Sequence, residues 1–304
     1  MGAAHGRDVT GILVLDKPPG MSSNAALQHV KRLYRADKAG HTGALDPLAT
    51  GVLPICLSQA TKLSGYLLDA DKRYHVRAAV GSCTTTGDAE GEVTRRSDAA
   101  ALTRDQLEAV LPRFTGEIRQ RPPMYSALKR DGRPLYELAR EGIEVDRAER
   151  PVRIEGLALT AFGPGAFELD VRCSKGTYIR TLVEDLAAAA GHCAHVALLR
   201  RVEAGPFGPA DLVTAETLER SAEAGPEALD ALLLPPLAGL ASWRRVEVGE
   251  ASARRLAHGQ AVEAPAGPRG LVAVTGAGGV LLGIAEQGGD GALTPRRWMS
   301  GPEP

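Results

Sequence analysis

Two segments of this chain are apolar at nearly every position: Gly-Ile-Leu-Val-Leu at 11–15, closed by Asp16, and Val-Leu-Pro-Ile-Cys-Leu at 52–57. Each is far too short for an independent helix, and turn-formers bound it: Lys17-Pro18-Pro19-Gly20 after the first, Ala49-Thr50-Gly51 before the second. Short continuous apolar runs between such punctuation read as buried strands. Residues 73–80 add a third strand that alternates in polarity, and 152–173 read as two strands around the turn Gly163-Pro164-Gly165. Residues 196–204 read as another strand.

Helical patterns lie between these runs. Ser22 or Ser23 can cap a helix with apolar positions Ala26, Leu27, Val30 and Leu33, and a basic cluster (Lys31, Arg32, Arg35, Lys38) follows. Further helices are expected over about 59–68, over 103–111 with Thr103 as cap, over 134–141, and over 177–190 with Gly191 as the stop. Residues 39–51 read as a loop, and 81–97 as a polar loop or hairpin. Residues 214–240 are acidic, a helix and then a linker. After about 240, short apolar runs alternate with Gly-rich turns around one helix near 250–257, as in a small β-rich, barrel-like module. The expected class is α+β: a mixed sheet flanked by helices and loops, plus a β module.

Composition excludes several classes. A chain of 304 residues can bury a full core without staples. No run of 18 apolar residues occurs, so no membrane-spanning helix is expected, and the first residues lack the apolar stretch of a signal peptide. The four cysteines (56, 83, 173, 193) form no CxxC pair, which suits a reducing cytosol. Net charge is −1, but its distribution is uneven. Residues 11–77 carry nine Lys/Arg against five Asp/Glu, 119–153 nine against six, and 211–230 one against six. A basic face for a polyanion on an acidic body fits this pattern, and so do ordinary solvated faces.

Asp46 stands in Gly43-Ala44-Leu45-Asp46-Pro47-Leu48-Ala49-Thr50-Gly51. Proline holds the preceding residue out of helical geometry, and the flanking glycines permit tight turns and close approach of a ligand. A carboxylate there can be a nucleophile or a base, or simply the first residue of an Asp-Pro turn. Arg180 falls where a strand gives way to a helix and can pair with such a carboxylate, or lie on a surface helix. Tyr74, beside Lys72 and Arg73, suits base stacking near phosphates or plain packing on a sheet. His41 can be a base, a phosphate contact, a wedge or a solvated loop residue. His192 and His195 lack the further ligands a metal site needs, and Gly276-Ala277-Gly278-Gly279 reads better as a hairpin turn than as a phosphate loop.

Taken in order, these segments resemble the TruB family of tRNA pseudouridine synthases. The resemblance spans 10–205. It runs from Gly11-Ile12-Leu13 and Asp16-Lys17-Pro18 through His41-Thr42-Gly43-Ala44-Leu45-Asp46-Pro47-Leu48-Ala49-Thr50-Gly51 and Asp71-Lys72-Arg73-Tyr74. It continues with Pro123-Met124-Tyr125-Ser126-Ala127-Leu128-Lys129 and Cys173-Ser174-Lys175-Gly176-Thr177-Tyr178-Ile179-Arg180, and ends with Ala194-His195-Val196 and Leu198-Leu199-Arg200-Arg201. The tail, with Gly283-Ile284-Ala285 and Pro295-Arg296-Arg297, resembles a PUA-like RNA-binding module less specifically.

The resemblance implies a pseudouridine synthase fold with a largely antiparallel central sheet. It implies a catalytic domain over 1–240, with a thumb-like RNA-binding insertion at about 119–150, and a PUA-like domain over 241–304. It implies isomerisation of uridine 55 in the tRNA T arm by base flipping, with no metal and no organic cofactor. By family motif Asp46 is the nucleophile or base, Arg180 pairs with it, Tyr74 stacks on the flipped base, and Tyr178 adjoins it and serves proton transfer. Leu199 falls at an apolar pocket position, His41 fills the space vacated in the T loop, and Lys17 and Lys129 contact RNA. The expected partner is tRNA, with no membrane and no obligate protein partner, in a cytoplasmic monomer. A tRNA-folding chaperone, with RNA binding as the main role, is the alternative. A subunit of an RNA-guided complex is a third idea.

Overall fold

The computed structural model describes residues 6–265, 267–289 and 291–299. Strand β1 (Gly11–Lys17) leads to helix α1 (Ser23–Tyr34), whose N-cap is Ser22: its hydroxyl accepts from the Ala25 N–H. Strands β2 (Ala39–His41) and β3 (Thr50–Leu57) follow, so both ends of the expected 39–51 loop are strand. The expected helix at 59–68 is a 3-10 turn, Ser58–Leu63, continued as α2 (Ser64–Leu68). Then come β4 (Lys72–Val80), the hairpin β5 (Ser82–Thr84) and β6 (Val93–Arg96), and α3 (Arg104–Val110), which starts in a capping box between Thr103 and Gln106.

Strand β7 (Gly116–Gln120) precedes a short hairpin of β8 (Lys129–Arg130) and β9 (Arg133–Pro134), α4 (Leu135–Arg140), and the long strand β10 (Arg150–Gly163). The basic excursion thus springs from a sheet pair, with Gln120 opposite Arg150. Strand β11 (Ala166–Cys173), α5 (Ile179–Ala189), β12 (Ala194–Ala204), β13 (Val213–Thr214), α6 (Ala215–Ala224) and α7 (Pro226–Asp230) complete this part. The tail contributes β14 (Arg245–Glu247), α8 (Glu250–Ala257), β15 (Val262–Glu263), β16 (Gly270–Thr275), β17 (Leu281–Gln287) and β18 (Ala292–Trp298).

Among the described residues the first thirteen strands yield a nine-stranded sheet of order β13-β1-β3-β12-β4-β11-β10-β7, with β2 paired to β3. Only β1–β13 and β3–β12 run parallel; the other neighbours are antiparallel. The fold is therefore the mixed α+β arrangement expected, and the tail forms a separate five-stranded sheet of order β14-β16-β17-β18-β15.

In β1 and β3, Leu13, Leu15, Leu53, Ile55 and Leu57 face a core built with α1 and α5, where Val30, Leu182 and Leu186 are fully buried. Their neighbours Ile12, Val14, Val52 and Cys56 face the opposite way, into a second core with Leu63, Leu240, Ala273 and Ile284. A strand covered on both faces has no reason to alternate. The second layer is shared by residues 60–67, residues 204–240 and the tail module. No helix among the described residues is long and apolar enough to cross a membrane.

Candidate active site

The loop joining β2 to β3 is shaped by its own residues. Asp46 opens a β-turn: its carbonyl accepts from the Ala49 N–H at 3.0 Å, with Pro47 at the second position. The Ser23 hydroxyl accepts from the Leu45 N–H at 2.7 Å, which ties the loop to the start of α1. Pro47 O receives the Gly20 N–H. Gly51, where the loop re-enters the sheet, has φ +101, and a Cβ there would stand 2.1 Å from the Arg201 carbonyl, so only glycine lets β3 and β12 meet.

The Asp46 carboxylate leaves this turn and meets Arg180 side-on. Arg180 Nε lies 2.9 Å from Oδ2 and Nη2 donates to Oδ1 at 3.0 Å. The rest of the guanidinium is equally engaged: Nη1 donates to Thr86 O at 2.7 Å and Nη2 to Tyr125 O at 2.8 Å, with Asp88 Oδ2 3.8 Å from Nη1. Arg180 is 5 % exposed at its side chain and Asp46 35 %, so the buried cation presents a partly open anion. The polar hairpin loop between β5 and β6 and the root of the excursion thus both converge on Arg180.

Burial pushes the Asp46 carboxyl above its ordinary range, Arg180 pulls it back, and Asp88 pushes it up again. Arg180 therefore offsets desolvation as well as fixing the direction of the carboxylate. Tyr74 and Tyr178 both feel the same charge. Burial raises both phenols, and the Asp46 charge adds to each. Tyr74 lies on β4 opposite Val171 and Arg201, whose positive charge opposes the effect of burial on the phenol. Tyr178 immediately precedes α5.

The other expected residues divide. Leu199 is buried on β12 in the main core, opposite Val76. His41 is half-buried on β2; burial and then Arg201 hold its imidazole below the usual range, and its Nδ1 lacks a partner among the described residues. Lys129 is exposed on β8, on the excursion. Lys17 corrects the expectation of an RNA contact. It is fully buried, with its ammonium donating to Pro18 O, Met21 O and Pro47 O at 2.8, 2.7 and 3.2 Å. All three donors are used inside the protein, and burial pulls the amine down to about 8 against the attraction of Asp46. Lys17 braces the Asp46 turn from below.

Several site residues had no role in the sequence reading. Arg201 is 1 % exposed and donates to Val52 O at 2.7 Å and Gly43 O at 3.0 Å, which holds both arms of the Asp46 loop. Glu184, one turn beyond Arg180, would press a Cβ at Gly87; burial, with Asp185 adding, lifts its carboxyl to about 7. Nothing local marks Arg201, whose neighbour on β12, Arg200, pairs with Asp16 of β1.

The N-terminal domain of TruB family pseudouridylate synthase matches residues 31–179, the tRNA pseudouridylate synthase B C-terminal domain 180–241, and the C-terminal domain of pseudouridine synthase II TruB 245–299. A curated tRNA pseudouridine synthase B from Pseudomonas aeruginosa (strain UCBPP-PA14) is 56 % identical over 293 residues, covering 96 % of each chain. This chain belongs to the TruB family of pseudouridylate synthases. The tRNA pseudouridine synthase B of Stutzerimonas stutzeri (strain A1501) is 57 % identical over the same length. Among solved structures, one chain of a Cbf5-Nop10-Gar1 complex superposes with TM-score 0.75 at 25 % identity, over 95 % of this chain and 85 % of that one. As a TruB-family isomerase, this chain rearranges a bond within its substrate, which asks for charge and proton management rather than for an oxidant or a second substrate.

Proposed function

We propose that this enzyme converts uridine 55 in the T arm of tRNA to pseudouridine, with Asp46 as the group that starts the reaction. The observation that carries the reading is the partly open Asp46 carboxylate, held side-on by buried Arg180. The relatives named tRNA pseudouridine synthase B support tRNA as the substrate. A base stacked in a folded loop cannot reach such a site unless it is extruded, at a cost of a few kcal/mol. Stacking on Tyr74 and phosphate contacts from the basic excursion offset that cost.

In this reading the C1′–N1 bond breaks, the uracil turns in the cleft, and C5 bonds to C1′. Asp46 serves as nucleophile or base, and Arg180 keeps it oriented. Tyr178 attends the proton leaving C5, Leu199 walls the pocket, and His41 occupies the space the base leaves. Lys129 grips the RNA backbone from the excursion. The division into a catalytic part, 1–240, and an RNA-binding tail, 241–304, belongs to the same proposal. Incubating a T-arm minihelix with the enzyme and mapping the modified nucleotide tests it. Pseudouridine at position 55 with the wild type, and none with Asp46→Asn that still binds, is expected. Modification elsewhere, or an active Asp46→Asn, overturns it.

A further inference from the structure

Gln120 is the last residue of β7 and is 2 % exposed. Its side-chain amide lies along the main chain of Tyr178 as a strand residue would. Nε2 donates to Tyr178 O at 3.2 Å, and Oε1 accepts from the Tyr178 N–H at 3.0 Å. Tyr178 has extended backbone (φ −100, ψ 108) at the entrance of α5, with no capping side chain of its own. The amide therefore satisfies a partly buried backbone donor that the helix leaves unpaired. Further along, Tyr125 strengthens the grip: its carbonyl accepts from Arg180 Nη2 at 2.8 Å. The chain from 120 to 126 is at once the root of the basic excursion and a wall of the active site.

We propose that Gln120 is a positioning residue for the isomerisation. Its amide makes the excursion root and the Tyr178–Arg180 segment one body, so that RNA seated on the excursion sets the Tyr178 phenol against the reacting base. The inference rests on the roles assigned to Tyr178 and the excursion under the proposed function. A displacement of a catalytic group by about 1 Å costs on the order of 100-fold in rate, so a clamp on the backbone of Tyr178 belongs to the chemical step rather than to affinity.

Single-turnover kinetics at saturating tRNA, with Kd and Tm measured alongside, test this. Gln120→Leu keeps the bulk and removes both hydrogen bonds; its rate is expected to fall about 10- to 100-fold with Kd within about threefold of wild type. Gln120→Glu supplies the second readout. A neutral carboxyl carries the donor and acceptor of the amide, whereas the ionised form loses the donor and sets charge against the Tyr178 carbonyl. The ratio of the Gln120→Glu rate to the wild-type rate is expected to climb toward one as pH falls. A full rate in Gln120→Leu, a deficit confined to Kd, or a flat ratio overturns the proposal; should Gln120→Leu not fold, the ratio decides. Asp46→Asn runs in parallel. An active Asp46→Asn overturns the functional reading itself, whereas an inactive one beside an unimpaired Gln120→Leu overturns the clamp alone.

Discussion

At the scale of single residues, the site is governed by how burial and a fixed guanidinium set one carboxylate. Burial holds the Asp46 proton on to higher pH than in a free aspartate, and Arg180 opposes this. Arg180→Lys replaces a fork that reaches Asp46, Thr86 O and Tyr125 O together with one ammonium. Its turnover is expected to drop by about 100-fold or more, and the acid limb of the rate profile to move to higher pH, because the opposing pull weakens. An acid limb that stays in place would show that Asp46 ionisation does not set it. Glu184 offers a stability test. Its folded-state carboxyl is raised to about 7 from an ordinary 4.5, so the folded protein binds the proton more tightly than the unfolded chain. Stability then declines as pH rises from about 4.5 to about 7. In Glu184→Gln that decline is expected to shrink by on the order of 1 kcal/mol, allowing for partial exposure, as read from urea denaturation across the interval.

At the scale of elements, β1 and β3 show why continuous apolar runs were readable: each side chain, odd or even, has a covered face to enter. The capped starts of α1 and α3 were readable for a similar local reason, since Ser22 and Thr103 act within three residues. The 119–150 excursion was legible by its charge and punctuation, but its first two residues end β7 and its last begins β10, because sheet pairing is a long-range choice. The excursion also carries a prediction. Lys129 lies exposed on β8, so Lys129→Gln is expected to lower the slope of log affinity against log salt by about one unit, with the chemical rate unchanged at saturating tRNA. An unchanged slope would remove Lys129 from the RNA interface.

At the scale of the whole molecule, the tail module and the main sheet share a core. Ala273, Leu281, Ile284 and Met299 of the tail pack with Ile12, Val14, Val52 and Cys56 of β1 and β3. Tyr66 and Trp243 meet edge to face at 5.4 Å at this junction, and Lys62 donates to Trp298 O. The two parts are therefore expected to unfold in one transition. Ile284→Ala is expected to cost about 2–4 kcal/mol and to lower the single Tm of the whole chain, as followed by calorimetry. Two resolved transitions, with only the later-numbered one moved, would contradict this. The Asp46→Asn protein is also the means of separating RNA refolding from turnover: a chaperone role is expected to survive the substitution and an isomerase role to be lost.

What the amino-acid order determined by itself was whatever acts over a few residues: strand runs, caps, the Asp46-Pro47 turn, the basic excursion and the motifs of the TruB resemblance. Which charged groups would be buried, and against what, was decided only by tertiary structure. Asp46 and Arg180 are 134 positions apart, and nothing in that spacing brings them together. Arg201 reaches Val52 across 149 positions, Gln120 reaches Tyr178 across 58, and Lys17 meets Pro47 across 30. A long polar side chain reads the same in sequence whether it faces solvent or three buried carbonyls. The difference is a desolvation cost that appears only once the sheet has closed around it.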